Sequence, residues 1–218
     1  MEKKQKIALT MNIVIFLMAI VGCIMCFAEI FVVQTKVVEH GIKLLKFFTL
    51  QSNILAGVAS LFYIIFLIRE NKTNKAVPTT VNMIKYIATI DLVITFLVVA
   101  LFLGFITDEG YFSMYVNANF FFHFAIPVLN LISFLFFENM PNITIKQTFI
   151  GIIHLALYSI FYLIVVLTHI QNGVVALQYD WYAFAQKGLG LAFVCAFVVL
   201  GFGYLTAFLL SKIKNKKH

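Results

Sequence analysis

One arginine, one tryptophan, three prolines and three cysteines are all that 218 residues hold of these types, and only nine side chains are acidic. Charged residues make up 11% of the chain, against about 25% in a typical soluble domain. So little charge excludes a water-soluble domain, a disordered segment and a coiled coil, each of which needs a solvated surface. The three cysteines all lie within apolar runs, which excludes a disulfide scaffold. Cys23 and Cys26, three residues apart, are helical neighbours that rarely meet disulfide geometry. Regular strand alternation is absent, and with it an outer-membrane barrel. What the chain has instead is 62% hydrophobic side chains, twenty-five of them phenylalanine, and a mean hydropathy of +1.00. A core this small cannot hide that excess, so lipid must solvate it.

A membrane-crossing helix needs about 20 mostly apolar residues. Six stretches qualify, at about Ile7–Val33, Leu44–Ile68, Val81–Ile106, Asn117–Phe137, Gln147–Ile170 and Gly188–Leu210. The expectation is an all-α polytopic membrane protein, residues 1–218 forming one six-helix transmembrane domain. The first stretch follows lysines as a signal peptide would, but it is too long for an h-region and lacks a cleavage site. The net charge of +7 sits in short clusters between the runs, so it reads as topology signal and no nucleic-acid partner is expected. With the N-terminus in the cytoplasm, twelve of the sixteen cations fall inside, Lys85 and Lys146 among them, and four fall outside: Lys36, Lys43, Lys46 and Lys187. Both termini are therefore expected in the cytoplasm, in a multi-pass protein of the plasma (cytoplasmic) membrane. Abundant Phe, Ile, Lys and Asn beside a single Arg suggest an AT-rich, bacterial source.

Polar groups inside a span are costly and usually face other helices or a wet cavity. Here they are Glu29, Thr49, Gln51, Ser52, Asn53, Asp91, Asn119, His123, Asn130, His154, Tyr158, Tyr162 and His169. Thr49 and His123 are expected at similar depth, about 8–9 Å below the outer starts of the second and fourth spans. Helical spacing puts Thr49, Ser52 and Asn53 on one face, and Asn119 beside His123 on another. Pro127 cannot supply the amide that would bond the His123 carbonyl. A hydroxyl and an imidazole at one depth are the minimum for nucleophilic acyl chemistry. Ser52, Asn53 or Asn119 would then be donors to the oxyanion. Asp91 would orient or charge-balance an imidazole, with His154 at the more compatible depth. The competing account of Thr49 is a hydroxyl bonded to its own i−4 carbonyl or to a neighbouring helix. No metal-ligand spacing and no nucleotide loop is present, and no cofactor is expected.

Phe48-Thr49-x-x-Ser52-Asn53, with His123-x-x-x-Pro127, resembles the androgen-induced threonine hydrolases and their bacterial relatives. These six-span membrane proteins cleave fatty acid esters of hydroxy fatty acids. The resemblance covers nearly the whole chain through span order. It implies Thr49 as nucleophile and His123 as base. Tyr182-Ala183-Phe184, after Trp181, is similar to the family's Tyr-Pro-Phe segment with the proline lost, and Ser133-Phe134 stands where relatives carry Asp-Trp. A membrane lipid or fatty-acyl ester would be the substrate, with Lys46 and Lys43 near its polar end and Gln51, Trp181 and Tyr182 as binding residues. Two other readings stand beside this one. A small proton-coupled transporter would use Asp91 and His154, and a non-catalytic sensor or scaffold would use the same polar layer for packing.

Overall fold

The computed structural model describes residues 1–28, 41–107, 110–186 and 188–216. Six helices dominate it: α1 Lys3–Phe27, α2 Phe48–Thr73, α3 Thr79–Leu103, α4 Ala118–Phe137, α5 Ile145–Thr168 and α6 Leu189–Asn215. Each is long and apolar enough to cross a membrane, so the chain is a multi-pass membrane protein. A two-residue-per-strand hairpin, β1 Ile170–Gln171 with β2 Val174–Val175, follows α5. Glu29, Lys36, Lys187, Lys217 and the expected end of the first span at Val33 lie outside the described residues.

Local chemistry sets the helix ends. Pro78, with φ −60°, leads into α3. Asn74 closes α2 in the left-handed region, φ 55°, its amide bonded to the Glu70 carbonyl at 2.8 Å. Thr144 and Gln147 form a capping box at the start of α5, with bonds of 3.3 and 2.9 Å.

The start of α2 differs from the expected Leu44. Gly41–Lys46 closes into a 3₁₀ turn, with Gly41 at φ +60°. Phe47 is then extended, and α2 begins only at Phe48. Thr49 is therefore the second residue of its helix rather than one buried more than a turn deep.

Helix α3 is the centre of the bundle. One side of it (Tyr86, Ile90, Ile94) packs with Leu155, Tyr162 and Ala207 of α5 and α6. Another (Ala88, Leu92) packs with Ile15, Ala56, Phe122 and Ile126 of α1, α2 and α4. Outward-facing Leu17, Ile24, Phe197 and Phe202 are exposed, as lipid-facing side chains are. Helix α4 is broken by two wide π turns, Phe121–Ala125 and Ser133–Phe137. The first sits immediately before Pro127, where the missing amide removes an α-helical bond. Close contact holds this turn against α1: a Cβ on Gly22 would come within 2.6 Å of the Phe122 ring.

Both termini lie at one end of the bundle with the α4–α5 loop. Lys4 donates to Asn139 at 3.1 Å, Lys214 to the Glu138 carbonyl at 2.7 Å, and Asn215 exchanges two bonds with the Ile143 backbone. The hairpin and residues 176–186 cover the opposite end.

Candidate functional site

At the end away from the termini, the first turn of α2, the last three turns of α3, and parts of α5, α6 and the 176–186 segment line an almost wholly apolar cavity of about 70 Å³. Six hydroxyl-bearing residues line it: Thr49, Thr95, Tyr158, Ser159, Tyr162 and Tyr182. A hydroxyl has one proton, so each can be traced. Ser159 donates to the Leu155 carbonyl at 2.8 Å, and Tyr162 to the Asp180 carboxylate. Ser52 gives its own proton to the Thr49 carbonyl at 3.0 Å, so Thr95 donates across the 3.0 Å contact to Ser52. The Lys46 carbonyl has no hydrogen to offer. Tyr158 is the donor to that carbonyl at 2.7 Å and also to Tyr182 Oη at 3.1 Å, so its one proton is shared between them and the Tyr182 proton has no acceptor among the described residues. Trp181 Nε1 also donates to Tyr158 Oη, at 3.0 Å, and the Phe48 amide to Tyr182 Oη, at 3.0 Å.

Thr49 remains. Its hydroxyl has no hydrogen-bond partner among the described residues, whereas Thr10, Thr73, Thr89, Thr148 and Thr168 all bond their own i−4 carbonyls. It stands in the first turn of a 26-residue helix, where the backbone field is positive and favours developing negative charge.

His123 lies in the first π turn of α4 and is buried. Its Nδ1 is 2.7 Å from the Met114 carbonyl. A carbonyl only accepts, so Nδ1 carries the proton and Nε2 is left as the basic nitrogen. Nε2 has no partner among the described residues. No hydrogen bond joins His123 to Thr49, and His123 does not line the cavity. The two segments do touch: Asn53 Nδ2 donates to the Thr49 carbonyl at 2.7 Å and to the Phe122 carbonyl at 3.1 Å.

The other expected site residues are placed as follows. The donors of Ser52 and Asn53 are engaged on backbone carbonyls, as described above. Asn119 is half-buried and makes no side-chain hydrogen bond among the described residues. Gln51 donates to the Leu45 carbonyl at 2.6 Å. Lys46 donates to the Gln178 carbonyl at 3.2 Å and lies 5.4 Å from the Trp181 ring centre, while Lys43 is exposed. His169 is a packing residue, stacked on Tyr179 at 3.7 Å.

Asp91 and His154 are paired, Oδ2 to Nδ1 at 2.7 Å, with Asp91 wholly buried and His154 partly open. Asp91 Oδ1 is buried without a partner. Phe48, which lines the cavity, stacks on His154 at 5.6 Å, but His154 itself is not in the lining.

A second buried polar cluster, toward the end with the termini, was not visible from sequence as a cluster. Lys85, counted above among the inner-side topology cations, is only 1% exposed. Its Nζ donates to Ser60 Oγ at 3.0 Å and Asn130 Oδ1 at 2.5 Å, and lies 3.5 Å from Glu138 Oε1. Asn130 donates onward to Thr89 at 2.8 Å, and Glu138 Oε1 accepts from Asn12 at 2.9 Å and Ser133 at 2.7 Å. One available signal was Asn12 itself, a lone amide in the first apolar run.

Compared with family models, with curated proteins and with solved structures, the chain finds no significant match.

Proposed function

We propose that this multi-pass protein is a membrane hydrolase that cleaves a lipid or fatty-acyl ester, with Thr49 as nucleophile and His123 as general base. The observation that carries the reading is the Thr49 hydroxyl, the one cavity-lining hydroxyl without a hydrogen-bond partner among the described residues. An apolar cavity suits an acyl chain, and the first turn of α2 places positive backbone field where negative charge would develop. In this scheme Thr49 Oγ1 attacks the ester carbonyl and His123 Nε2 takes its proton. That proton goes to the departing alcohol oxygen as the carbonyl–oxygen bond breaks. Water then cleaves the Thr49 ester by the same route, releasing the acid. His123 reaches Thr49 directly or through one water in the substrate complex, since such bonds are often loose without substrate. The resemblance to threonine hydrolases points the same way, with a membrane-resident acyl ester entering from the lipid.

The test uses the full chain in lipid nanodiscs with a long-chain 4-methylumbelliferyl ester and a fatty acid ester of a hydroxy fatty acid. Turnover and fluorophosphonate labelling at Thr49 are expected. Folded Thr49→Ala and His123→Ala variants should lose about 10²-fold or more. Wild-type turnover in folded Thr49→Ala would end the proposal.

A proton-coupled carrier is the second reading, favoured by the buried Asp91–His154 pair and its unpartnered Oδ1. It requires solute flux in proteoliposomes that Asp91→Asn abolishes while ester cleavage is absent.

A further inference from the structure

The proton bookkeeping around the cavity singles out one donor that can be redirected. Ser159 and Tyr158 give their protons to backbone carbonyls, and Tyr162 gives its proton to a carboxylate. Turning any of these away strands a strong buried acceptor. Thr95 instead meets the Ser52 hydroxyl, and if it turns away, Ser52, at 0% exposed, loses that contact. Tyr182 only accepts, from Tyr158 and the Phe48 amide, so its own proton is uncommitted among the described residues and aiming it elsewhere strands no acceptor. Tyr182 also stays in register with the first turn of α2, because its oxygen accepts from the Phe48 amide, one residue before Thr49.

We propose that the Tyr182 hydroxyl gives its uncommitted proton as a hydrogen bond to the carbonyl oxygen of a ligand held at Thr49, and so acts as the oxyanion donor of the site. The role rests on the hydrolase reading for its catalytic part, but the hydrogen bond to a carbonyl ligand does not. No proton is transferred: Tyr182 gains an acceptor and keeps its proton, and Tyr158 keeps its own throughout. Burial pushes the Tyr182 phenol above its ordinary pKa, its hydrogen bonds only partly offsetting this, so the group remains a donor at neutral and mildly alkaline pH. Side-chain amides and hydroxyls at Ser52 and Asn53 are not free for this role, since their hydrogens are engaged on the Thr49 and Phe122 carbonyls.

Two measurements test this on the full chain in nanodiscs. In turnover, Tyr182→Phe should lower kcat about 10²-fold with little change in KM, the signature of a lost oxyanion donor. Tyr158→Phe, which removes a donor to Tyr182 but leaves the Tyr182 proton in place, should lower kcat less than Tyr182→Phe does. Independently of cleavage, a long-chain ketone labelled at the carbonyl with ¹³C is bound to a Thr49→Ala background and its carbonyl stretch followed by infrared difference spectroscopy. A downshift is expected in Thr49→Ala and in Thr49→Ala/Tyr158→Phe, and its loss in Thr49→Ala/Tyr182→Phe. Should the last variant fail to fold, 3-fluorotyrosine at position 182 serves instead, a stronger donor that must deepen the downshift. The same carbonyl frequency with and without the Tyr182 hydroxyl, or no response to fluorination, overturns the inference. A Tyr182-dependent shift in a protein that cleaves no ester upholds it and refutes the hydrolase reading alone.

Discussion

Replacing Lys85 by methionine removes an ammonium from the interior of the bundle and leaves its partners where they are. Ser60 and Asn130, both 0% exposed, each lose a donor, at 3.0 and 2.5 Å. Glu138, 3% exposed, keeps its bonds from Asn12 and Ser133 but loses the charge 3.5 Å away. Breaking a buried pair from one side costs about 3–5 kcal/mol, and the lower end applies here because the buried Lys214 ammonium stays on the Glu138 carbonyl at 2.7 Å. Glu138→Gln is the mirror perturbation. It keeps the shape and leaves Lys85 charged among neutral acceptors, and it replaces the buried Glu138 carboxylate, whose Oε2 has no hydrogen-bond partner among the described residues, by a neutral amide. Its cost therefore belongs at the lower end of the same range. The double variant carries neither charge and should be more stable than the sum of the singles by about 2 kcal/mol or more. Equilibrium unfolding in mixed micelles of sodium dodecyl sulfate, followed by helical circular dichroism, measures all four corners of the cycle. Single variants within about 0.5 kcal/mol of wild type, or a double that is simply additive, would refute the buried-pair argument.

Three further perturbations address the site. Gly22→Ala presses a methyl into the Phe122 ring and must shift the π turn that carries His123. A loss of about 1–3 kcal/mol is expected by the same unfolding assay, with a fall in esterase turnover. Asn53→Ala cuts the bond pair joining the Thr49 and Phe122 carbonyls, and also removes the buried, unpartnered Oδ1. Stability should drop only about 1 kcal/mol while turnover falls tenfold or more; unchanged turnover would show that the joint does not align the site. Tyr162→Phe leaves Asp180 to the Ala185 amide and Gln186, at 3.0 and 2.9 Å. Faster amide exchange confined to the 176–186 segment is the expected outcome by mass spectrometry.

The six spans were legible because lipid solvation imposes long apolar runs, and no tertiary detail alters that requirement. The start of α2 was not, since Leu44 and Leu45 look as apolar as the helix itself and only the backbone at Gly41 and Phe47 diverts them. Pairing of Asp91 with His154 was accessible from depth alone. The Lys85 cluster was hidden for the opposite reason. A lysine six residues into a span reads as snorkelling to headgroups, and only the convergence of Ser60, Asn130 and Glu138 from other elements shows that it points inward. Thr49 and His123 could be recognised as candidate chemistry, but their mutual geometry depends on helix rotation, which an almost uniformly apolar sequence does not encode.

The wide turns in α4 change what a deletion means in this chain. Phe120-Phe121-Phe122 opens the first π turn, so removing any one of the three phenylalanines yields the same shortened protein. Such a loss lets the segment relax to an ordinary α-helix, and because the wide turn already absorbs one extra residue, the later residues of the span keep their faces. Asn130 would still meet Lys85 and Thr89, and Ser133 still meet Glu138, while His123, inside the turn, would be re-seated. The loss of one phenylalanine would thus leave the inner charge cluster in register and displace the His123 imidazole alone. Length, at this one place, decides where a single side chain points and leaves the rest of the bundle as it was.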